Sequence, residues 1–421
     1  MERPLTERIR VDGEPLNLEG YEQAGGYAGL RRALRLTPAE VQEEVTKSGL
    51  RGRGGGGFPT GVKWSVVPAN DPRRRYFIVN GDEMEPGTMK DRLLLEGDQH
   101  QLLEGLLISA YAIQADTAYI FLRWGYHLAA ERLQRAIVEA RAKGYIGERI
   151  LGSTFSVNVH LHVSAGRYMC GEETGLLNAL EGKRANPRSK PPFPQISGLW
   201  GKPTVVNNVE TVCNVPHILA KGWEWYRGLS RTPDGGTKLI GISGRVKRPG
   251  VWEMPLGVTM REVLDGPAGG MRDGYALRGL LPGGASTDFL LPEHLDAPMD
   301  CGELEKLGSR LGTGTMIVLD DRTCPVGMCL NLTQFFARES CGWCTPCREG
   351  LPWVARTLQA LDHGRGTAAD LDILDHHVRG LGLGRTFCAL APGAMAPLGS
   401  ALKYFRDDFI RHIDEKRCPW R

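Results

Sequence analysis

The sequence predicts three successive parts: an α/β layer over residues 1–235, a small α+β module over 236–325, and an antiparallel helical bundle over 326–421. Three observations predict them. Short apolar strands alternate with amphipathic helices through the first half, the order that builds an α/β layer. The linker-like Thr232-Pro233-Asp234-Gly235-Gly236 then introduces strands around an Arg248-Pro249-Gly250 turn. The last hundred or so residues carry one-sided apolar stripes at helical spacing.

In chain order, residues 1–30 read as polar and loop-like. Thr37-Pro38-Ala39-Glu40 is a capping box with proline at the first helical position; Val41 and Val45 form the apolar edge and Gly49 ends the helix. A glycine-rich loop, Gly52 to Gly61, precedes a buried strand at Tyr76-Phe77-Ile78-Val79. Leu102 to Ala112 is a helix, Ala118 to Leu122 a strand, and Leu128 to Ala142 a helix with Leu133, Ile137 and Ala140 on one face. Val157 to Val163 alternates as a half-buried strand. Thr174 to Leu180 is helical, Asn186 to Pro203 is too rich in proline and glycine for regular structure, and Thr204 to Val206 is strand-like. The module contributes strands at Lys238–Ser243, Val251–Met254 and Thr315–Leu319, with a short helix at Thr259–Leu264. In the bundle, Val354, Leu358 and Leu361 form one stripe, and Leu398, Leu402, Phe405 and Phe409 another.

Composition excludes several classes. Lys+Arg 52 against Asp+Glu 49 leaves a charge of +3, too little for a general grip on nucleic acid. No apolar stretch is long enough to span a bilayer. Met1 to Arg10 is charged and lacks the apolar region of a secretory signal, so an intracellular protein is expected. In that compartment ten cysteines point to metal rather than to disulfides. Glycine is the outlier: 55 copies, about 13% against a usual ~7%, belong in sharp turns or where backbone approaches a ligand.

Cys341-Gly-Trp-Cys344-Thr-Pro-Cys347 places three thiolates around one centre, and Cys388, 41 residues on, supplies a fourth. Three thiolates plus a distant one, with a neighbouring Pro346, fits a [4Fe–4S] cluster better than zinc, whose structural sites show paired knuckles. Cys170, Cys213, Cys301, Cys324, Cys329 and Cys418 read as isolated small residues.

Gly52-Arg53-Gly54-Gly55-Gly56-Gly57 satisfies G-x-G-x-x-G but follows a helix, not the strand a dinucleotide fingerprint requires. Consecutive glycines still free backbone N–H groups to approach phosphate; Arg53 and Lys63 add positive charge, and Phe58 and Trp64 offer flat faces. The alternative is a flexible surface loop. Asn80-Gly81-Asp82-Glu83-Met84-Glu85 follows a strand, where α/β sheets bind ligands; solvated turn charges are the alternative. Gly171-Glu172-Glu173 opens a helix, where acids also suit the dipole, and Asn207-Asn208-Val209-Glu210-Thr211 offers amides and a hydroxyl. Arg184, Arg188 and Lys190 could meet phosphates or a partner surface. His160, His162, His376 and His377 have no partners at ligand spacing and read as ordinary.

Taken together, these segments resemble the family of FMN- and NADH-binding flavoprotein subunits of respiratory complex I. The resemblance covers nearly the whole chain through five motifs in order: Gly52 to Ser65, Asn80 to Thr88, Cys170 to Thr174, Val206 to Thr211, and Glu339 to Arg348. Departures are small: Gly56, Gly81 and Gly175 stand where the family often has alanine, and Val66 where some members place an aromatic. The resemblance implies a Rossmann-like FMN domain, a ubiquitin-like β-grasp (SLBB) domain and a C-terminal four-helix bundle carrying the cluster on Cys341, Cys344, Cys347 and Cys388. It sets FMN against Gly52, Arg53, Gly54, Lys63, Asn80, Asp82, Glu83, Gly171, Glu172, Asn207, Asn208 and Thr211, and NAD(H) against Phe58, Glu85, Glu173 and Phe193. No residue is expected to act as acid, base or nucleophile, since the flavin takes the hydride. Implied partners are a small thioredoxin-like [2Fe–2S] subunit, a large multi-cluster iron–sulfur subunit and the rest of complex I. The implied location is peripheral, on the cytoplasmic face of the inner membrane. Two rival readings remain: the diaphorase component of an NAD-linked hydrogenase or formate dehydrogenase, and a non-enzymatic iron–sulfur scaffold.

Overall fold

A computed structural model describes residues 2–421. The chain divides into two compact units. The first comprises residues up to Met84, Met89–Leu239 and Glu253–Gly257; the second comprises Glu85–Thr88, Ile240–Trp252 and Val258–Arg421.

The first unit is built on four parallel strands, β1 (Tyr76–Gly81), β2 (Thr117–Leu122), β3 (Asn158–Val163) and β4 (Thr204–Asn208), in the order β3-β2-β1-β4. Ile78 of β1 lies opposite Tyr119 on one side and Val206 on the other. Phe77, Ile78 and Val79 are all fully buried, as expected of a parallel strand covered on both faces. Helices Gln99–Ala112 and Val209–Lys221 pack on each other and on β1. The first of these is apolar nearly all round and almost wholly buried, the pattern of an interior helix. The strand order reverses at β1: β2 and β3 extend to one side, and β4 returns to the other. Such a switch opens a crevice at the strands' C-terminal ends.

The expected loop over residues 1–30 is corrected. Leu18–Gln23 and Ala28–Ala33 are short helices, with Leu18, Tyr21, Leu30 and Ala33 buried. Their anchor is Glu104, which accepts from Tyr21 Oη at 2.6 Å, Tyr27 N at 2.8 Å and Leu30 N at 3.0 Å. A buried carboxylate distant in sequence orders a segment whose own pattern is weak. The capping box on helix Pro38–Lys47 is present as expected.

In the second unit, β7 (Leu277–Leu281) and β8 (Thr315–Asp320) belong to a mixed sheet ordered β6-β5-β8-β7, where β5 is Thr237–Ser243 and β6 Gly250–Pro255. β5 and β8 run parallel, and β7 is antiparallel to β8. The sequence does not signal β7, because Arg278 and Gly279 leave only three apolar residues in this five-residue strand. Four helices, Pro325–Glu339, Thr345–Asp362, Ala368–Gly380 and Leu390–Tyr404, pack as the bundle. The stripe Leu398, Leu402, Phe405 and Phe409 is buried, but two helices carry it. The chain leaves helical geometry at Phe405 (φ −125°, ψ 26°), whose ring packs edge-on to Phe289 at 5.3 Å, and resumes as Arg406–Asp414. Among the described residues, no helix is long and apolar enough to cross a membrane.

Candidate functional site

In the first unit the glycine loop closes as a narrow turn: Gly52 N donates to Phe58 O at 2.9 Å and Thr60 N to Leu50 O at 2.9 Å. Its tip lies against the end of β4, so closely that a Cβ on Gly54 would stand 2.9 Å from the Asn208 Cβ. Gly56 and Gly171 face open space, with nothing within 4 Å of a Cβ placed there. The loop and the C-terminal ends of β1 and β4 thus share one edge of the sheet. Asn80 Nδ2 donates to Gly171 O at 3.1 Å, which joins β1 to the segment that opens helix Glu173–Leu180. Asp82 is buried beside Ser164 Oγ (3.4 Å) and Cys170, and burial and the Asp82 carboxylate push the Cys170 thiol up to about 12.

Lys63 is the half-buried cation of this edge. Its Nζ donates to Glu173 Oε2 at 2.7 Å and to Val206 O at 2.8 Å. Lys190 Nζ reaches Glu173 Oε1 at 2.8 Å and Glu172 Oε1 at 3.1 Å. Burial opposes ionisation of Glu173, but Lys63 and Lys190 outweigh it and hold this carboxyl below its ordinary range. Glu172 caps its helix by accepting from Thr174 N and Gly175 N, both at 2.8 Å. Phe58 and Phe193 stand exposed, at 55% and 53%, as rings available to a ligand.

Other expected site residues hold the protein itself. Arg53 is corrected as a source of charge for the loop: its guanidinium is buried and donates to Gly235 O at 2.7 Å, and its backbone N donates to Thr211 Oγ1 at 2.8 Å. Trp64 is corrected as a ligand-stacking face: it is fully buried, and its Nε1 donates to Asn207 Oδ1 at 2.9 Å. Glu83 accepts from Asp91 N, Arg92 N and Tyr126 Oη; burial and the nearby Asp91 raise it to about 7. Glu85 belongs to the second unit, where it accepts from Ser286 N at 2.7 Å.

Sequence reasoning missed the support beneath Asn208. Its Nδ2 donates to Asp91 Oδ2 at 2.6 Å, and the fully buried Lys90 reaches Asp91 Oδ1 at 2.7 Å and Glu210 Oε2 at 2.9 Å. Glu210 also faces Lys238 Nζ at 3.3 Å, and burial brings that lysine down to about 8. The only local signal was the adjacency of Lys90 and Asp91, which any surface turn shows. The four histidines make ring contacts, including His162 on Phe121 at 5.1 Å and His377 on Trp353 at 4.8 Å.

In the second unit, Gly342, between Cys341 and Cys344, takes φ +75°, a left-handed conformation that glycine adopts freely. Cys344 is the N-cap of helix Thr345–Asp362, Pro346 lies in its first turn and Cys347 follows. Burial pushes the Cys347 thiol up to about 11; Ser340 Oγ at 3.2 Å offsets part of this, and Cys344, Cys388 and Cys341 push it further up. Cys344, Cys388 and Cys341 thus lie near enough to the Cys347 thiol to act on it, and the helix N-terminus adds potential that favours negative charge there. This donor set fits a four-thiolate iron–sulfur cubane. The glycine cradle beside Lys63 fits a phosphate-bearing flavin.

Three family descriptions match the chain: the Nuo51 FMN-binding domain over residues 45–217, the SLBB domain over 239–289 and the NADH-ubiquinone oxidoreductase-F iron-sulfur binding region over 327–412. The chain is similar to the F subunits of NADH-quinone oxidoreductase from Salmonella typhimurium and Escherichia coli, each 56% identical over 414 residues, covering 98% of this chain and 93% of theirs. The Streptomyces coelicolor protein of that name is 46% identical over 417 residues, 99% of this chain and 92% of its own. Among solved structures, it resembles NAD+-reducing [NiFe]-hydrogenase in the air-oxidised state (TM-score 0.78, 35% identity, 90% of this chain and 63% of that one). The H2-reduced state gives a TM-score of 0.80 at 33% identity, over 96% of this chain and 66% of that one. The chain therefore spans just under two thirds of those hydrogenase chains.

Proposed function

The chain belongs to the family of NADH-quinone oxidoreductase F subunits, and from that premise we propose which of its residues serve the reaction: oxidation of NADH and delivery of electrons one at a time toward quinone. Bound FMN supplies a hydride acceptor that can release single electrons, and the [4Fe–4S] cluster is a one-electron carrier. Everything else is binding and placement by this chain.

The backbone of the Gly52–Gly57 loop and Lys63 hold the phosphate end of the flavin, as N–H donors and a point charge. Asn80, Asp82, Gly171, Asn207 and Asn208, at the strand ends, orient the flavin. Arg53, Glu83, Glu172 and Thr211 act mainly by fixing that edge, as their hydrogen bonds within the protein indicate. Phe58 and Phe193 offer ring faces to NADH, and Glu173 its carboxylate. Glu85 is a further NADH contact on the strength of the Asn80–Thr88 motif alone. Cys341, Cys344, Cys347 and Cys388 ligate the cluster. No side chain has to move a proton in the hydride step.

The relatives' name also supports assembly into a multisubunit quinone reductase. A thioredoxin-like [2Fe–2S] subunit and a multi-cluster subunit would be the neighbours, on the cytoplasmic side of the membrane. The hydrogenase structures favour the diaphorase alternative, but at lower identity and over a smaller share of their length. The subunits that copurify separate the two.

The observation that carries the reading is one chain with both a glycine cradle at a parallel-sheet switch point and four converging thiols. Purified protein should show flavin and iron–sulfur absorption, both bleached by anaerobic NADH. Lys63→Ala should weaken FMN retention roughly ten- to hundredfold, as expected for one charge-assisted hydrogen bond worth about 1.5–3 kcal/mol. No flavin in the parent, or unchanged flavin content in the variant after exhaustive dialysis, would count against it.

A further inference from the structure

Away from the cubane thiols, the second unit gathers four other ligating side chains. Cys324 Sγ, Cys418 Sγ, one His412 ring nitrogen and one Asp362 oxygen all lie within 4.8 Å of one another, and all four residues are buried. They come from distant parts of the chain. Cys324 is the N-cap of helix Pro325–Glu339, Asp362 ends helix Thr345–Asp362, His412 lies in the last turn of Arg406–Asp414, and Cys418 follows it.

The histidine is already set as a ligand. Its Nδ1 lies 2.7 Å from Asp408 O, and a carbonyl only accepts, so the proton sits on Nδ1. Nε2 therefore carries the lone pair, and it faces Cys324 Sγ at 3.4 Å. A histidine oriented through its other nitrogen by a carbonyl is the usual arrangement at metal sites. The ring is fixed further by stacking on Trp420 at 5.8 Å. Gly327 N, in the first helical turn, donates to Cys324 Sγ at 3.2 Å and holds the sulfur in place at the helix start. Asp362 receives Arg421 Nη2 at 2.7 and 2.9 Å, and each carboxylate oxygen retains a lone pair for a further partner.

We propose that Cys324, Cys418, His412 and Asp362 form a closed structural site for one zinc ion. Two sulfurs, an imidazole and a carboxylate match the preference of zinc. Metal–ligand bonds of about 2.0–2.3 Å give a tetrahedron with edges of roughly 3.3–3.8 Å, so the observed cluster needs only a small contraction. Charge also closes: two thiolates, one carboxylate, a divalent ion and the Arg421 guanidinium sum to zero, which a buried site requires. The ion would tie the start of one bundle helix, the end of the next and the Arg406–Asp414 helix to the Cys418 segment. With four protein ligands it leaves no open position, so its role is structural.

The test is elemental analysis of the intact holoprotein after incubation with zinc chloride and gel filtration, together with a cobalt(II) spectrum. About one zinc per chain is expected beyond the cluster iron, and cobalt should give thiolate charge-transfer and tetrahedral ligand-field bands. Cys418→Ser and His412→Gln should each lose the zinc and the cobalt bands while cluster iron and flavin stay at parental levels. Wild-type protein that takes up no zinc overturns the site without needing the variants. So does a Cys324–Cys418 disulfide in the mass spectrum of freshly purified protein, or zinc retained in both variants.

Discussion

Glu173 shows what a single side chain adds beyond its position at a helix start. A carboxylate there favours the helix dipole by only about 0.3–1 kcal/mol. Here it is also clamped between Lys63 and Lys190, which depress its pKa against the opposing effect of burial. Glu173→Gln removes the carboxylate that Lys63 and Lys190 share and leaves Lys190 with Glu172, so the local charge turns positive. Activity with NADPH should rise relative to NADH, because the extra phosphate is no longer met by balanced charge. The gain should be larger at low ionic strength than at high, since salt screens half-exposed charges. The folded pKa lies below the ordinary 4.5, so the clamp's stabilisation is present above that value and is lost as pH falls through the lower one. Acid titration of stability should therefore be shallower in the variant below about pH 4.5. An NADPH-to-NADH ratio equal to the parent's at both salt concentrations would reduce Glu173 to a helix-capping acid.

At the scale of elements, the glycine loop and the end of β4 are fitted to each other. Asn208 caps helix Val209–Lys221, accepting from Glu210 N at 3.1 Å, and is held from below by Asp91, so it cannot yield to a side chain on Gly54. Gly54→Ala should push the loop off the strand end, at about 1–3 kcal/mol for overpacking. Flavin content should fall more than the melting temperature of apoprotein. Full flavin occupancy in that variant would show that the loop does not need this close approach. The same pairing explains what was legible along the chain. The glycine run, the strand Tyr76–Val79 and the capping box at Thr37 are local patterns, and each is present. Arg53 and Trp64 were misassigned because a loop sequence does not say which way its side chains turn: one guanidinium and one indole complete the interior instead of facing a ligand.

For the molecule as a whole, the division into two units puts the Gly52–Gly57 loop in the first and Cys341, Cys344, Cys347 and Cys388, the proposed cluster ligands, in the second. Cys344→Ser should abolish the [4Fe–4S] signal while FMN remains bound. NADH oxidation by a two-electron dye should continue, whereas reduction of quinone by the assembled enzyme should stop. Loss of flavin together with the cluster would show that the two sites do not fold independently.

The sequence by itself determined the α/β layering and the family: strand and helix alternation, a glycine run and four cysteines in a three-plus-one pattern. These signals are local, or rest on residue types rare enough to be read without coordinates. Tertiary structure alone decided which charges meet. Glu104 ordering the segment around Tyr21 and Tyr27, Lys90 and Asp91 under Asn208, and Cys324 and Cys418 closing on His412 and Asp362 all join residues far apart in the chain. Burial strengthens such pairings by removing the water that would otherwise compete for each group, and no pattern along the chain records which groups lose that water together.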